Sequence, residues 1–493
     1  MDQDGPPAAK QMRYSLRSTP ARCKPSTDSI TKSEHRYMLR SETRLPLTEL
    51  SLPKRKRPAK SLMILNDDCF RKVFEYLKPR EIRNIANVNQ RLQALADHEL
   101  KRMFRMKYKI QFDENFDFIP VDDSIRISVE AIEAMLSTFG DHYHSLELSR
   151  NTFDYSFNLP YVLEVIQKYC SNVKQLTLNG FRTDSFNHRF FIKLKSLTLQ
   201  NCSVSFVRCI MPQLEILKLD KVETVIPVHS FSALEEVRIS NMNINNDDIK
   251  KLIMSNRTIK RLSIVKCWEA SPYFFSVLPN LIHLEEFEFK KRPTPNNREL
   301  SALWRLKKLK TLKFSYKNYN VSPLLDGFIN NGISIEHLEL GIGNFDARAA
   351  AVIAKMQTLK VLKFHDMNGL NASHMVSVAH ALKNLRTLYI KTDVPVSQNK
   401  IVETVDTAKC LKYLKVHAPN FVLDVNTYQA LVAAIKRRNK YTPLKLTIYS
   451  KQKQLLVPNE ILKGQNEIWL LVQELDEKNH RLFEDLSPYV RAS

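Results

Sequence analysis

The most regular feature of the chain is a hydrophobic pattern, apolar-x-x-apolar-x-apolar, that recurs through its central and C-terminal parts. It occurs twelve times, at intervals of 20 to 30 residues. The alternation at the end of each occurrence predicts a short β-strand with its apolar side chains on one face. The thirty-six apolar positions, called ladder residues below, are Tyr143/Leu146/Leu148, Val173/Leu176/Leu178, Leu194/Leu197/Leu199, Leu214/Leu217/Leu219, Leu234/Val237/Ile239, Ile259/Leu262/Ile264, Leu284/Phe287/Phe289, Leu309/Leu312/Phe314, Ile335/Leu338/Leu340, Leu359/Leu362/Phe364, Leu385/Leu388/Ile390 and Leu411/Leu414/Val416.

Recurrence at this period indicates a repeat architecture, because one unit alone cannot bury its apolar face. The pattern resembles leucine-rich repeats. Cys202 and Cys267 stand three residues after the last ladder residue, at the Asn/Cys position of that family. The resemblance implies an α/β solenoid over residues 108–454, with short parallel strands on a concave face and helices or loops outside. Residues 349–354 and 375–382 read as two of these helices.

Upstream, between residues 61 and 107, the apolar spacing changes to the three- and four-residue steps of helices. Asn66, Asp67 and Asp68 offer an N-cap and first-turn acids for a first helix. Pro79 suits the first turn of a second helix and disfavours continuation of the first. The spacing therefore predicts a small unit of three short helices.

This unit resembles the F-box. Positions that match by type and spacing are Leu65, Asp68, Phe70, Val73, Phe74, Leu77, Glu81, Ile82 and Val88. Asn66, Asn89 and Leu92 stand where the family has proline, cysteine and tryptophan. The resemblance implies a Skp-type adaptor, linked to a cullin complex, bound through Leu65, Phe70, Val73, Phe74, Leu77, Ile82 and Leu92. The structural alternative is a plain helical cap on the repeats.

Residues between ladder positions should line the concave face of the solenoid. Late in the array these residues are basic and aromatic: Lys363, His365, Tyr389, Lys391, Tyr413, Lys415 and His417. An acidic or phosphorylated segment of a target protein would suit them. The alternative is a solvated strand face with no binding role.

The two ends of the chain differ from the repeats. Residues 1–60 are rich in Ser, Thr, Pro, Lys and Arg, which predicts a disordered basic tail. Within it, Lys54, Arg55, Lys56 and Arg57 resemble a nuclear-import signal, or are a solvated linker. Residues 13–18 and 36–41 share an Arg-Tyr-x-Leu-Arg-Ser motif, which is either a paired docking motif or a chance similarity. At the other end, residues 455–493 predict an amphipathic helix that caps the solenoid or folds back into the concave face.

The charge and cysteine content limit the function classes. The net charge is +23, of which +8 lies in residues 1–60 and the rest is spread over 433 residues. This spread favours a soluble protein with a basic tail over direct nucleic-acid binding. The start lacks a signal peptide, and no apolar run approaches the ~20 residues of a membrane span, so we expect a protein of the nucleus and/or cytoplasm with no membrane partner. Seven scattered cysteines indicate free thiols, with neither a disulfide framework nor a metal site.

No nucleophile, phosphate-loop or metalloprotease motif occurs in a suitable context, so we expect neither catalysis nor a cofactor. The resemblance implies a substrate-recognition subunit of an SCF-type ubiquitin ligase. The alternative is a non-catalytic repeat scaffold in the nucleus that holds chromatin- or RNA-associated partners.

Overall fold

The computed structural model describes residues 64–104, 108–112, 118–120, 133, 136–150, 159–183, 192–204, 211–223, 231–291, 297–316, 319–341, 343–391, 396–417, 424–438, 444–450 and 469–474. The chain divides into two units, residues 1–64 and residues 65–493. The basic tail, the predicted import signal at Lys54–Arg57 and the paired motifs lie outside the described residues.

Three helices open the second unit: α1 (Asp67–Phe74), α2 (Pro79–Ala86) and α3 (Gln90–Phe104). As predicted, Asn66 is the N-cap of α1, and its side chain accepts a hydrogen bond from the Cys69 amide at 2.9 Å. Pro79 is the first residue of α2, and the Glu81 carboxylate accepts from the Lys78 amide at 2.8 Å. Each helix thus begins where its capping residue satisfies free backbone donors.

The guanidinium of Arg91 ties the start of α3 to the start of α1. It donates to the Leu65 carbonyl at 2.8 Å and to the Asp67 carboxylate at 2.7 Å, and it lies 5.5 Å from the centre of the Phe70 ring. Phe70, Phe74, Ile82 and Leu92 form the core beneath it. The α3 helix then packs against the turn Gly140–His142, where the repeats begin.

In the described part of the chain, sixteen strands form one sheet, and a two-stranded sheet (β5 with β7) lies beside it. The strands are β1 (Tyr108–Phe112), β2 (Phe118–Pro120), β3 (Ser145–Arg150), β4 (Gln175–Asn179), β5 (Arg182–Thr183), β6 (Ser196–Gln200), β7 (Ser203–Val204), β8 (Ile216–Asp220), β9 (Glu236–Ser240), β10 (Arg261–Val265), β11 (Glu286–Lys291), β12 (Thr311–Tyr316), β13 (His337–Gly341), β14 (Val361–His365), β15 (Thr387–Lys391), β16 (Tyr413–His417), β17 (Lys445–Ser450) and β18 (Trp469–Glu474).

From β3 to β18 the strands of the large sheet follow one another in chain order, and each is parallel to its neighbours. Strand β1 pairs with β3 in parallel and with β2 in antiparallel orientation. The returning helices are α4 (Leu159–Tyr169), α5 (Asn246–Ser255), α6 (Asn297–Leu300), α7 (Ser322–Asn330), α8 (Ala347–Lys355), α9 (Ala372–Ala381), α10 (Gln398–Thr407) and α11 (Val425–Lys436), with 3-10 segments at Pro272–Asn280 and Ser301–Arg305.

The predicted leucine-rich-repeat solenoid is confirmed by strand order and burial. All thirty-six ladder residues are at most 5% exposed, and the two helices expected near residues 349–354 and 375–382 are α8 and α9. Cys202 and Cys267 are buried, and each thiol contacts the carbonyl two residues earlier, at 3.1 Å and 3.5 Å. After β6, β8, β9, β10 and β14, the first residue of the turn has a φ near +50°. This conformation redirects the chain at the end of these five strands.

The amphipathic helix predicted within residues 455–493 is wrong for residues 469–474, because these residues form β18. Leu470 and Val472 pair with Leu446 and Ile448 of β17, so this segment continues the strand pattern of the repeats. A short continuous apolar run fits a strand as well as a helix, and here pairing with β17 decides between them. The rest of 455–493 lies outside the described residues.

Candidate functional site

The residues between ladder positions form the second face of the sheet, called the open face below. Strand register aligns them in rows that run across the sheet. The central row is Thr177, Thr198, Lys218, Arg238, Ser263, Glu288, Lys313, Glu339, Lys363, Tyr389, Lys415 and Thr447. The row therefore passes from small hydroxyls through mixed charges to lysines and tyrosine.

On β9, the acidic residue of the open face is held by cations. Glu236 is 5% exposed and lies 2.7 Å from Arg238, 2.8 Å from Arg261 and 3.6 Å from Lys218. Burial alone would raise the pKa of this carboxyl, but the surrounding cations outweigh it and hold the pKa below its usual value. The charge of Glu236 is consequently compensated within the protein.

A second cluster joins β11, β13 and β14. The ammonium group of Lys290 lies 3.0 Å from Glu288 and 2.9 Å from Glu339. Glu339 also lies 3.7 Å from Lys363 and 3.6 Å from the His365 imidazole. Burial opposes ionisation of Glu339, yet the ammonium groups of Lys290 and Lys363 lower its pKa to about 2. The predicted site residues Lys363 and His365 therefore border a carboxylate that is charged at physiological pH.

The two histidines beside this cluster are neutral at physiological pH. Burial, with Lys363 and Lys313 nearby, lowers the pKa of His337 to about 4. Burial likewise lowers the pKa of His365 to about 4, despite the nearby Glu339 carboxylate. His365 packs against Tyr389, with ring centres 4.9 Å apart.

The late strands carry the remaining residues that the sequence places in the target site. Lys391 pairs with Asp366 at 3.2 Å, and His417 is buried with its ring centre 5.2 Å from that of Tyr449. Tyr413 is 47% exposed, whereas Tyr389 is 6% exposed. Five of the seven residues (Lys363, Tyr389, Lys391, Tyr413 and Lys415) occur in adjoining registers of β14, β15 and β16, alongside the two histidines. The structure thus brings the predicted residues together on one face.

The seven residues assigned to adaptor binding fall into three groups. Phe70, Phe74, Ile82 and Leu92 lie in the core of the three-helix unit, and Leu65 and Leu77 pack partly against that core. Only Val73 among the seven is an exposed large hydrophobic residue, at 43%. In this conformation, the four core residues can support an adaptor surface but cannot contact a partner directly.

Two exposed hydrophobic residues of the same unit were not assigned to adaptor binding from the sequence. Tyr76, in the turn after α1, is 80% exposed, and Val88, in the turn after α2, is 68% exposed. Val88 matched the F-box pattern, but pattern matching cannot separate core from surface positions. Val73, on α1, is a third exposed hydrophobic residue of this unit.

The described residues also bear on metal sites, reactive thiols and membrane-spanning helices. Within them, no three His, Cys, Asp or Glu side chains are grouped closely enough to hold a metal ion. Burial raises the pKa of the Cys170 thiol to about 12 and also raises that of Cys202, which opposes thiolate formation. No helix in the described ranges is long and apolar enough to span a bilayer.

Comparison with known proteins adds one structural likeness. No protein-family model matches the chain, and no curated protein matches it. Among solved structures, the chain is similar to an internalin (inlF) from Listeria monocytogenes, with 11% sequence identity and a TM-score of 0.42. The match covers 71% of this chain and 89% of the internalin chain. The fold assignment rests on the register and burial described above.

Proposed function

We propose that this chain is the substrate-recognition subunit of an SCF-type ubiquitin ligase. The three-helix unit docks a Skp-type adaptor and, through it, a cullin, while the open face binds a target protein. The observation that carries the proposal is the small helical unit at Asp67–Phe104, placed directly before the solenoid and bearing exposed Val73, Tyr76 and Val88. Exposed apolar side chains on so small a unit favour a protein partner that covers them.

The chain itself has no chemistry to perform in this role. A rigid solenoid that holds the target near a conjugating enzyme raises the effective concentration of the reacting groups. The continuous parallel sheet from β3 to β18 supplies such a rigid support. The open face binds the target, because its charged and aromatic side chains lie on the side of the sheet opposite to the ladder residues that form the core.

Affinity purification of the full-length chain tests adaptor binding. We expect the adaptor and cullin to copurify with the unaltered chain, and their recovery to fall at least tenfold in Tyr76→Asp and Val88→Asp. Ile282→Asp is the matched control, since Ile282 is 66% exposed on the turn before β11 and should have no effect. Phe74→Asp is unsuitable because Phe74 is fully buried, so its replacement would disrupt the helical core itself.

The ligase assignment fails if the full-length chain recovers neither adaptor nor cullin, or if the two aspartate variants recover both as well as the unaltered chain does. Strongly salt-dependent binding of RNA or DNA in the same preparations would instead support a nuclear scaffold.

We also propose nuclear import through Lys54, Arg55, Lys56 and Arg57. Replacing all four by alanine should move a fluorescent fusion of the chain from the nucleus to the cytoplasm.

A further inference from the structure

The late open face differs from the rest of the sheet in its charge balance. On β9, β11 and β13, each open-face acid lies near at least one cation, as for Glu236, Glu288 and Glu339. On β15, β16 and β17 the open-face positions hold no Asp or Glu: they are Thr387, Tyr389, Lys391, Tyr413, Lys415, His417, Lys445, Thr447 and Tyr449. Lys391 pairs with Asp366 at 3.2 Å, whereas Lys415 and Lys445 have no ion-pair partner among the described residues.

Three of these residues form a triad across neighbouring strands. Lys363, Tyr389 and Lys415 stand in direct register on β14, β15 and β16. Neighbouring strands lie about 4.8 Å apart, so the two lysine backbones are separated by roughly 10 Å with the tyrosine between them. Lysine side chains are long enough to bring both ammonium groups to one ligand above the tyrosine hydroxyl.

None of the three side chains is fully satisfied within the described residues. Lys415 has no hydrogen-bond or ion-pair partner there, and Tyr389 is 94% buried with no hydrogen bond to its hydroxyl. Lys363 lies 3.7 Å from Glu339, but that carboxylate is closer to Lys290, at 2.9 Å. Burial and repulsion from Lys363 and Lys445 lower the pKa of Lys415. A bound anion would relieve this repulsion and supply the missing partner.

We propose that Lys363, Tyr389 and Lys415 bind a phosphate monoester, presented as a phosphorylated Ser, Thr or Tyr side chain of the target protein. Two ammonium groups and one hydroxyl match a group with a charge near −2 and three acceptor oxygens, whereas one carboxylate can neutralise only one of the lysines. An open strand face suits a side chain carried by a protein better than a small metabolite, which binds in an enclosing pocket. The choice of a protein source rests on the proposed function.

Labelling of individual lysines tests the phosphate site without reference to the ligase. Full-length protein is acetylated briefly at pH 7.5, and the rate at each lysine is read by peptide mass spectrometry. We expect phenyl phosphate at millimolar concentration to slow acetylation of Lys415 at least fivefold. Lys260 and Lys310, which pair with Glu235 at 2.6 Å and Glu285 at 3.4 Å, are internal controls and should react unchanged.

Variants locate the effect at the triad. Tyr389→Phe and Lys363→Gln should each raise the phenyl phosphate concentration for half-maximal protection of Lys415 at least threefold. Equal protection by sodium benzoate or sodium chloride at the same ionic strength would overturn the proposal, because it would mean general charge screening. Full protection of Lys415 in both variants would overturn it too, since the triad would then be dispensable.

A second arm identifies the source of the phosphate. The probes are pooled 12-residue peptides with a central phosphoserine, phosphothreonine or phosphotyrosine, the same pools without phosphate, inorganic phosphate and a 20-nucleotide single-stranded RNA. We expect phosphorylated pools alone to bind, to be displaced by phenyl phosphate and to be lost in Lys415→Glu. Binding of RNA alone, or protection by inorganic phosphate without any peptide binding, would overturn the assignment to a phosphorylated protein.

Adaptor recovery with Lys415→Glu separates this proposal from the ligase assignment. Lys415 lies on β16, far along the chain from the three-helix unit, so the variant should still copurify the adaptor. If adaptor recovery is retained while Lys415 shows no phosphate protection in the unaltered chain, the phosphate site alone is refuted. If protection is found without any adaptor, only the ligase assignment is refuted.

Discussion

At the scale of single residues, Arg438 performs a structural task that no sequence pattern announces. Its side chain is buried, and its guanidinium donates to the carbonyls of Val405, Ala408, Lys409 and Leu411, at the end of α10 and before β16. These carbonyls lie about thirty residues earlier in the chain, so their partner is set by the stacking of repeats. Cys202 and Cys267, by contrast, were predictable because their role depends on position within one repeat.

Replacing Arg438 by methionine should lower the free energy of unfolding by roughly 2–4 kcal/mol, because four carbonyls lose their donor while most of the side-chain volume is kept. Urea denaturation followed by circular dichroism measures the change. Arg437→Met is the matched control: Arg437 is exposed, pairs only with Asp406 at 2.8 Å among the described residues, and should cost less than about 1 kcal/mol. Equal effects of the two variants would contradict the structural role given to Arg438.

At the scale of elements, the sequence pattern predicted the central strands of the sheet but missed strands at both of its ends. The twelve occurrences correspond to the strands from β3 to β16 in the large sheet, because each has its full set of ladder residues. Strands β1, β17 and β18 lack the first of the three apolar residues in the pattern, so the pattern did not predict them. What identifies them is pairing with a neighbour, which depends on the assembled sheet.

The pH dependence of stability should report the histidines beside the β13–β14 pair. Their pKa is lowered from 6.5 to about 4 in the folded protein, so the unfolded chain binds more protons between these values. Stability contributed by the neutral imidazoles is therefore complete above pH 6.5 and is lost as the pH falls towards 4. The midpoint of urea denaturation should decrease over this window.

The double variant His337→Gln/His365→Gln should flatten that decrease, and each single variant should remove part of it. Urea titrations at pH 7.0, 6.0, 5.0 and 4.5 provide the comparison, with the slope against pH as the readout. Most of this window lies above that of Glu339, whose contribution is lost as the pH falls from 4.5 towards 2. An unchanged slope in the double variant would show that neither imidazole is protonated on unfolding in this range.

At the scale of the whole molecule, the repeat order, the three-helix unit and the composition of the open face followed from sequence, since each depends on local spacing. Which side chains pair with one another, and which are exposed, could not be predicted from the sequence. Pairing of Lys290 with Glu339, two strands away, and the exposure of Tyr76 both require the assembled protein. For the same reason, the residues of the proposed phosphate triad could be listed from the sequence as basic and aromatic residues but not distinguished from neighbours such as Lys391, which pairs with Asp366.

A stack in which each repeat contacts its neighbours should also lose structure locally when one repeat is weakened. Phe289 of β11 is fully buried among Phe275, Phe274 and Phe314, at 5.1, 5.6 and 6.4 Å between ring centres. Phe289→Ala should destabilise this region by about 3–5 kcal/mol, and Phe289→Leu by less, because it leaves a smaller cavity. Hydrogen exchange read by mass spectrometry should then show faster exchange in β10, β11 and β12, with β4 and β16 nearly unchanged. Equal acceleration in all strands would instead mean that the solenoid unfolds as one cooperative unit, and the proposed target-binding end could not be weakened or stabilised independently of the proposed adaptor-binding end.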